Sequence, residues 1–214
     1  MKDNATLILL AAGRGTRMGT SKGLLSFNGS VWIEHQIKEF FHSGGSQVIC
    51  VFGESIKEYL GALNWEEHTE KQWFDCCRGS VLYVKNHDVE KGPYGSIVLA
   101  LPHVRTSHAL ILPVDVPWAG TQVFHYLMNC GTYPVVIPSF NERGGHPVLL
   151  RSELFPILMD AKEDENFRLD RQIAMLPDSS VFRVAVTEPK TGLNINTIED
   201  WNSFSGLMKN KETE

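Results

Sequence analysis

The chain has 214 residues, 43% apolar and 21% charged, with 20 Lys and Arg against 25 Asp and Glu for a net charge of −5. That composition fits a water-soluble globular chain long enough to bury its own core, and it excludes collagen-like, low-complexity and disordered classes. The acidic balance argues against nucleic acid as a partner, because broad polyanion binding needs clustered Lys and Arg; a small anionic ligand in one local basic pocket stays open. The longest apolar run near the start, Leu7 to Ala12, is too short to span a membrane. Nor does the start show the basic leader and cleavage pattern of a signal peptide, so a cytoplasmic protein without a membrane partner is expected. Cys50, Cys76, Cys77 and Cys130 include no CxxC pair and read as reduced thiols.

Neither an internal repeat nor a Pro/Gly/Ser linker divides the chain, so one domain over residues 1–214 is expected. Ala5 to Leu10 is a continuous apolar run suited to a strand buried on both faces. Val31 to His42 places Ile33, Ile37, Phe40 and Phe41 at helical spacing, and Ser43-Gly44-Gly45 ends it. A strand over Gln47 to Phe52 and a short helix over Glu54 to Leu63 follow. Asn64 to Ser80 is polar and reads as an excursion or loop. Val81 to Lys85 is a third strand, Gly92-Pro93-Tyr94-Gly95 a turn, and Ser96 to Leu101 the start of a helix. His108 to Val114 is a strongly apolar strand, and Thr121 to Asn129 a helix with Val123, Phe124, Leu127 and Met128 on one face. Later strands are expected at Val135 to Pro138, His146 to Leu150 and Phe182 to Val186, with helices around Glu153 to Asp160, Leu169 to Leu176 and from Ile198 onward. Thr197 and Asp200 form the capping signature of that last helix. Such alternation predicts an α/β, Rossmann-like, mostly parallel sheet with helices on both faces. Ligands then belong at the carboxyl ends of the strands. Trp65, Trp73 and Trp118 either mark an oligomer interface or are buried within one copy.

Four segments carry candidate chemistry. Leu10-Ala11-Ala12-Gly13-Arg14-Gly15-Thr16-Arg17-Met18-Gly19, followed by Lys22, directly succeeds the first strand. Its glycines let backbone N–H groups approach phosphate oxygens, and Arg17 and Lys22 add positive charge. No Gly-Lys-Ser/Thr follows at the spacing of a P-loop, and glycines at 13, 15 and 19 do not fit the dinucleotide fingerprint. In Leu112-Pro113-Val114-Asp115-Val116-Pro117, Asp115 ends an apolar strand and is either a magnesium ligand or a turn cap. Asn141-Glu142-Arg143-Gly144-Gly145-His146-Pro147 offers a glycine turn with His146 at its edge, as a substrate contact or as a backbone partner. In Leu193-Asn194-Ile195-Asn196-Thr197, alternation puts Asn194 and Asn196 on one face, where either could reach a metal or simply serve the turn.

These segments, in this order, resemble the MobA-like NTP transferases, the nucleotidyltransferases that finish the molybdenum cofactor. LAAGRGTRMGTSKGLL, PVDVP, GGHPVLL and NINTIED carry the likeness from Leu10 to Asp200. The resemblance implies a fold of the nucleotide-diphospho-sugar transferase type. It also implies transfer of a nucleoside monophosphate from an NTP to a phosphate acceptor, a molybdopterin, with release of pyrophosphate. It implies that Leu10, Ala11, Ala12 and Gly13 meet base and ribose, that Gly15 lies under the phosphates, and that Arg17 and Lys22 neutralise them. Asp115, with Asn196 in the family's second metal-side position, would hold Mg2+. Gly92 to Ser96 occupy the family's glycine-rich substrate loop, with Gly92 toward the nucleotide and Ser96, Gly145 and His146 toward the acceptor. Ala12 and GGHPVLL resemble the cytidylyltransferases, whereas NINT resembles the guanylyltransferases; CTP is favoured over GTP. The rival readings are a sugar-1-phosphate nucleotidylyltransferase, a non-catalytic partner that hands a pterin to a molybdoenzyme, and an unrelated redox protein with a dinucleotide fold.

Overall fold

The computed structural model describes residues 5–13, 19–161 and 167–211. Its strands in chain order are β1 (Ala5–Ala11), β2 (Ser26–Phe27), β3 (Ser30–Val31), β4 (Gln47–Phe52), β5 (Phe74–Cys76), β6 (Gly79–Lys85), β7 (His108–Pro113), β8 (Val135–Phe140), β9 (Arg143–Gly144), β10 (Val148–Arg151) and β11 (Val181–Ala185). Its α-helices are α1 (Trp32–His42), α2 (Ile56–Leu63), α3 (Gly92–Ala100), α4 (Thr121–Asn129), α5 (Phe155–Met159), α6 (Leu169–Ala174) and α7 (Ile198–Lys211). β2 and β3 pair as a small ribbon; the other strands form one nine-stranded sheet in the order β11-β8-β10-β7-β1-β4-β6-β5, with β9 on β8.

β1 is parallel to both β4 and β7, and β4 is parallel to β6. The chain therefore builds outward from β1 through β4 to β6, then crosses back to place β7 on β1's other side. β10 runs antiparallel between β7 and β8, and β11 pairs parallel with β8 at the edge. β1 is buried along its whole length, as its apolar run requires, and its one polar residue, Thr6, is bonded to Gln47 and Thr106. Successive residues feed opposite cores. Leu7, Leu9 and Ala11 pack with Ile33, Ile37 and Phe40 of α1, Tyr59 of α2, Phe124 of α4 and Trp201 of α7. Ile8 and Leu10 pack with Tyr94 and Ile97 of α3, Leu158 of α5 and Ile173 of α6. The layered α/β fold expected from the alternation of elements is thus the one formed.

Two local expectations need correction. The 64–80 excursion is not loop throughout: Phe74–Cys76 turns back as an antiparallel edge strand on β6. Trp65 is buried beneath it, edge-on to Phe74 at a centroid distance of 5.2 Å. Gly92 to Gly95 is not a turn ahead of a helix but the first turn of α3, with Pro93 where its missing N–H leaves no partner unmet. Of the three tryptophans, Trp65 and Trp118 lie in the core, and Trp73 lies under the Arg105 guanidinium at 5.1 Å.

Candidate active site

The strand order reverses between β1 and β7, and the carboxyl ends of those two strands border the crevice that such a reversal opens. After β1 the backbone passes over Gly53, at the end of β4, so closely that a Cβ there would run into the Ala12 carbonyl. Gly15 and Arg17 lie outside the described residues. The chain then returns through Ser21 to Leu24 with Lys22 turned toward the end of β7.

Lys22 is the centre of the site. Its Nζ donates to Asp115 Oδ2 at 2.8 Å and to Asn196 Oδ1 at 2.9 Å, joining three segments far apart in sequence. Neither Lys22 nor Asp115 is withdrawn from solvent: their side chains are 20% and 25% exposed. One carboxylate and one amide oxygen thus converge on a single cationic position. Hard oxygen donors of this kind suit a divalent cation such as Mg2+ whose shell is completed by water and phosphate oxygens.

The loop carrying Asp115 is pinned from three directions. Val114 N–H donates to Leu10 O at 2.9 Å, and Ile195 N–H donates to Asp115 O at 2.8 Å. From α1, Trp32 Nε1 donates to Val114 O at 2.7 Å and Gln36 Nε2 to Val116 O at 2.8 Å, while Gln36 Oε1 accepts Trp118 N–H at 2.6 Å. Asn196 is held by its neighbour helix. Asp200 Oδ2 accepts the backbone N–H groups of Asn196 and Thr197, and Thr197 Oγ1 accepts Asp200 N–H. These bonds hold the Asp200 carboxyl below its usual range, Asn196 N–H contributing most. The capping signature expected at α7 therefore also fixes a site residue.

A cavity of about 280 Å³ lies beside this cluster, and its walls include Leu10, Ala11, Ala12, Gly13, Lys22, Gly92, Ser96 and Asp115. Most of the nucleotide-site expectations thus meet at one place. A second cavity, of about 820 Å³, shares Leu10, Glu90, Gly92, Pro93 and Pro113 with the first and extends to Gly145 and His146. Ser96 is buried and its Oγ accepts Asn86 Nδ2 at 3.0 Å, which orients the end of β6 against α3. Gly145 lies where a Cβ would strike the Thr191 carbonyl. His146 is mostly buried; its Nδ1 faces Ile111 O at 3.3 Å and must be the protonated nitrogen, since a carbonyl only accepts. Burial lowers its pKa, against the smaller opposing pull of that bond and of Asp115, so Nε2 is a neutral acceptor near pH 7.

The sequence profile of the MobA-like NTP transferase domain matches residues 7–176. The chain belongs to that family. It is accordingly a nucleotidyltransferase. A Flavobacterium johnsoniae relative described as a probable molybdenum cofactor guanylyltransferase is 26% identical over 208 residues, covering 95% of this chain and 97% of the relative. A nucleotidyl transferase from Methanothermobacter superposes with a TM-score of 0.75 at 21% identity, over 97% of this chain and 98% of its own. The molybdopterin-guanine dinucleotide biosynthesis protein A of Archaeoglobus fulgidus gives 0.68 at 16% identity, over 96% and 99%. A manganese complex of a Mycobacterium tuberculosis protein gives 0.69 at 18%, over 94% and 98%.

Several residues of this MobA-like site escaped the sequence reading. Trp32 and Gln36 sit four apart on one face of α1, where they read as ordinary helix positions. Tyr59 of α2 lines the smaller cavity, with its hydroxyl against the Gly23 backbone and Ser21. Burial pushes its pKa up to about 12, so it stays a neutral phenol bracing the Lys22 turn. The buried Asn86 had no motif around it.

Proposed function

We propose that the chain transfers GMP from GTP to the terminal phosphate of molybdopterin and releases pyrophosphate. The observation that carries this reading is the Lys22 ammonium bridging Asp115 and Asn196 at the mouth of a cavity lined by the first loop. The reaction brings two anions together: an acceptor phosphate oxygen forms a bond to the α-phosphorus as the bond from that phosphorus to the pyrophosphate oxygen breaks. The leaving pyrophosphate takes the electron pair. Charge neutralisation and alignment are the protein's main tasks. Lys22 and Arg17 are the cations for the triphosphate, and the backbone from Leu10 to Gly15, with Gly92, holds the nucleotide. A phosphate nucleophile is already ionised near neutral pH, so no general base is needed.

Asp115 and Asn196 are the residues that would hold Mg2+. The bound ion would supply Lewis-acid polarisation of the phosphate oxygens. Ser96, Gly145 and His146 belong to the acceptor side, in the larger cavity. Molybdopterin as acceptor is supported by the names of relatives that match nearly the full chain. GTP is supported by those same names and by the NINT segment. CTP, favoured on Ala12 and GGHPVLL, is the second reading. A GTP–CTP competition with molybdopterin and Mg2+, read by mass spectrometry of the dinucleotide product, decides between them. A predominant guanine product is expected; a predominant cytosine product would replace GTP by CTP. Transfer to sugar-1-phosphates in preference to molybdopterin would overturn the acceptor.

A further inference from the structure

The larger cavity has a cation that the proposed transfer chemistry does not use. Arg183 lies on the edge strand β11, where alternation turns it to the same face of the sheet as Val181, toward α3, α5 and α6. It lines the cavity together with Gly144, Gly145 and His146. Its guanidinium rests over Gly144: a Cβ built there would stand 2.7 Å from Arg183 Nη1. The neighbouring cations are engaged, Arg168 by both oxygens of Asp170 at 3.0 and 3.2 Å and Lys91 by Asp88 at 3.6 Å. Arg183 makes no hydrogen bond or ion pair among the described residues. The walls between it and the nucleotide cavity are apolar, from Leu10, Ile97, Ile111 and Val148. Apolar walls can stack against the faces of a planar heterocycle, and the guanidinium at the end then selects what its edge must carry.

We propose that Arg183 is the specificity-determining residue for the end of the acceptor remote from the reacting phosphate. It would donate from its fork to the two lone pairs of the ring carbonyl oxygen of a fused pyrimidinone, an acceptor that oxidised and reduced pterins share. Gly144 is a glycine here because a side chain would push the guanidinium aside. The inference rests on the reading that the acceptor carries a pterin, and it assigns the residue that recognises it.

The test uses unsubstituted pterin, which has no phosphate and so reports on this subsite without any nucleotidyl transfer. Its binding is followed by its own fluorescence in wild type, Arg183→Met, Arg183→Lys and Gly144→Ala, with thermal unfolding as the check on folding. Arg183→Met is expected to weaken pterin binding about tenfold or more, the usual effect of losing a bidentate contact. Arg183→Lys, which keeps the charge but not the fork, should fall between. Gly144→Ala should resemble Arg183→Met with a melting temperature close to that of the wild type, because the nearest atom it displaces is the end of a flexible side chain and Ile137 Cγ2, at 3.3 Å, has to give by only a few tenths of an ångström. With molybdopterin as acceptor, Arg183→Met should raise the acceptor KM and leave the NTP KM unchanged. Equal pterin binding by wild type and Arg183→Met, or no pterin binding by the wild type, would each overturn the proposal. Arg183-dependent pterin binding in a protein that transfers no nucleotide would uphold this subsite and refute the proposed function alone.

Discussion

Lys22 carries the sharpest consequence at the scale of single residues. It is bonded to Asp115, 93 positions away, and to Asn196, 174 positions away. Lys22→Met removes the charge and keeps much of the volume. Loss of one such preorganised electrostatic contact lowers kcat by about a hundredfold or more. Steady-state pyrophosphate release checks this, and an undiminished kcat would remove Lys22 from the chemistry. His146 has a different signature. Burial lowers its pKa, so the unfolded chain binds the proton more readily than the folded one. Its stabilising contribution is therefore fully present above the ordinary histidine value of about 6.5 and is lost as the pH falls through it toward the depressed folded-state value. Thermal midpoints measured from about pH 7.5 down to about pH 5.5 should decline in the wild type and decline less in His146→Asn, whose amide nitrogen stands where Nδ1 does and can still donate to Ile111. Equal slopes in the two proteins would show that His146 does not titrate in this window.

Among the elements, α1 does more than cover the sheet. Ile33, Ile37, Phe40 and Phe41 fill the core, while Trp32 and Gln36 on the same helix hold the Val114–Trp118 backbone that presents Asp115. Gln36→Leu would leave the Val116 carbonyl and the Trp118 N–H buried without partners, at a cost of about 2–4 kcal/mol. Chemical denaturation should show that loss, and kcat should drop with it because Asp115 loses its support. A fully active but destabilised variant would uncouple the brace from the site. The legibility of elements in the sequence follows from their patterns. α1 and α4 carry apolar residues at helical period, and β1, β4 and β7 are apolar runs interrupted only by Thr6, Gln47 and His108, so each is readable locally. The β5 strand is only Phe74-Asp75-Cys76, too short to show a period, and its pairing with β6 is a tertiary fact. The start of α3 was hidden because Gly92 and Pro93 look like turn punctuation whether they precede a helix or open it.

For the whole molecule, the decisive feature is the reversal of strand order at β1. It brings the ends of β1 and β7 side by side and opens the two adjoining cavities. The segments around Gly13 and Asp115 were readable because residue type coincides with a place just past the end of a strand; those around His146, ahead of β10, and Asn196, ahead of α7, stood out by residue type alone. What could not be read was the support they receive from Trp32, Gln36 and Tyr59. These occupy unremarkable positions in helices, and only the closing of the sheet gives them neighbours at the site. No helix among the described residues is long and apolar enough to cross a membrane. The most direct test of the account is pyrophosphate release with each of the four NTPs and Mg2+, with and without molybdopterin. Release that requires both a nucleotide and molybdopterin, fastest with GTP, is the predicted result. Nucleotide binding with no release in the presence of molybdopterin would contradict it.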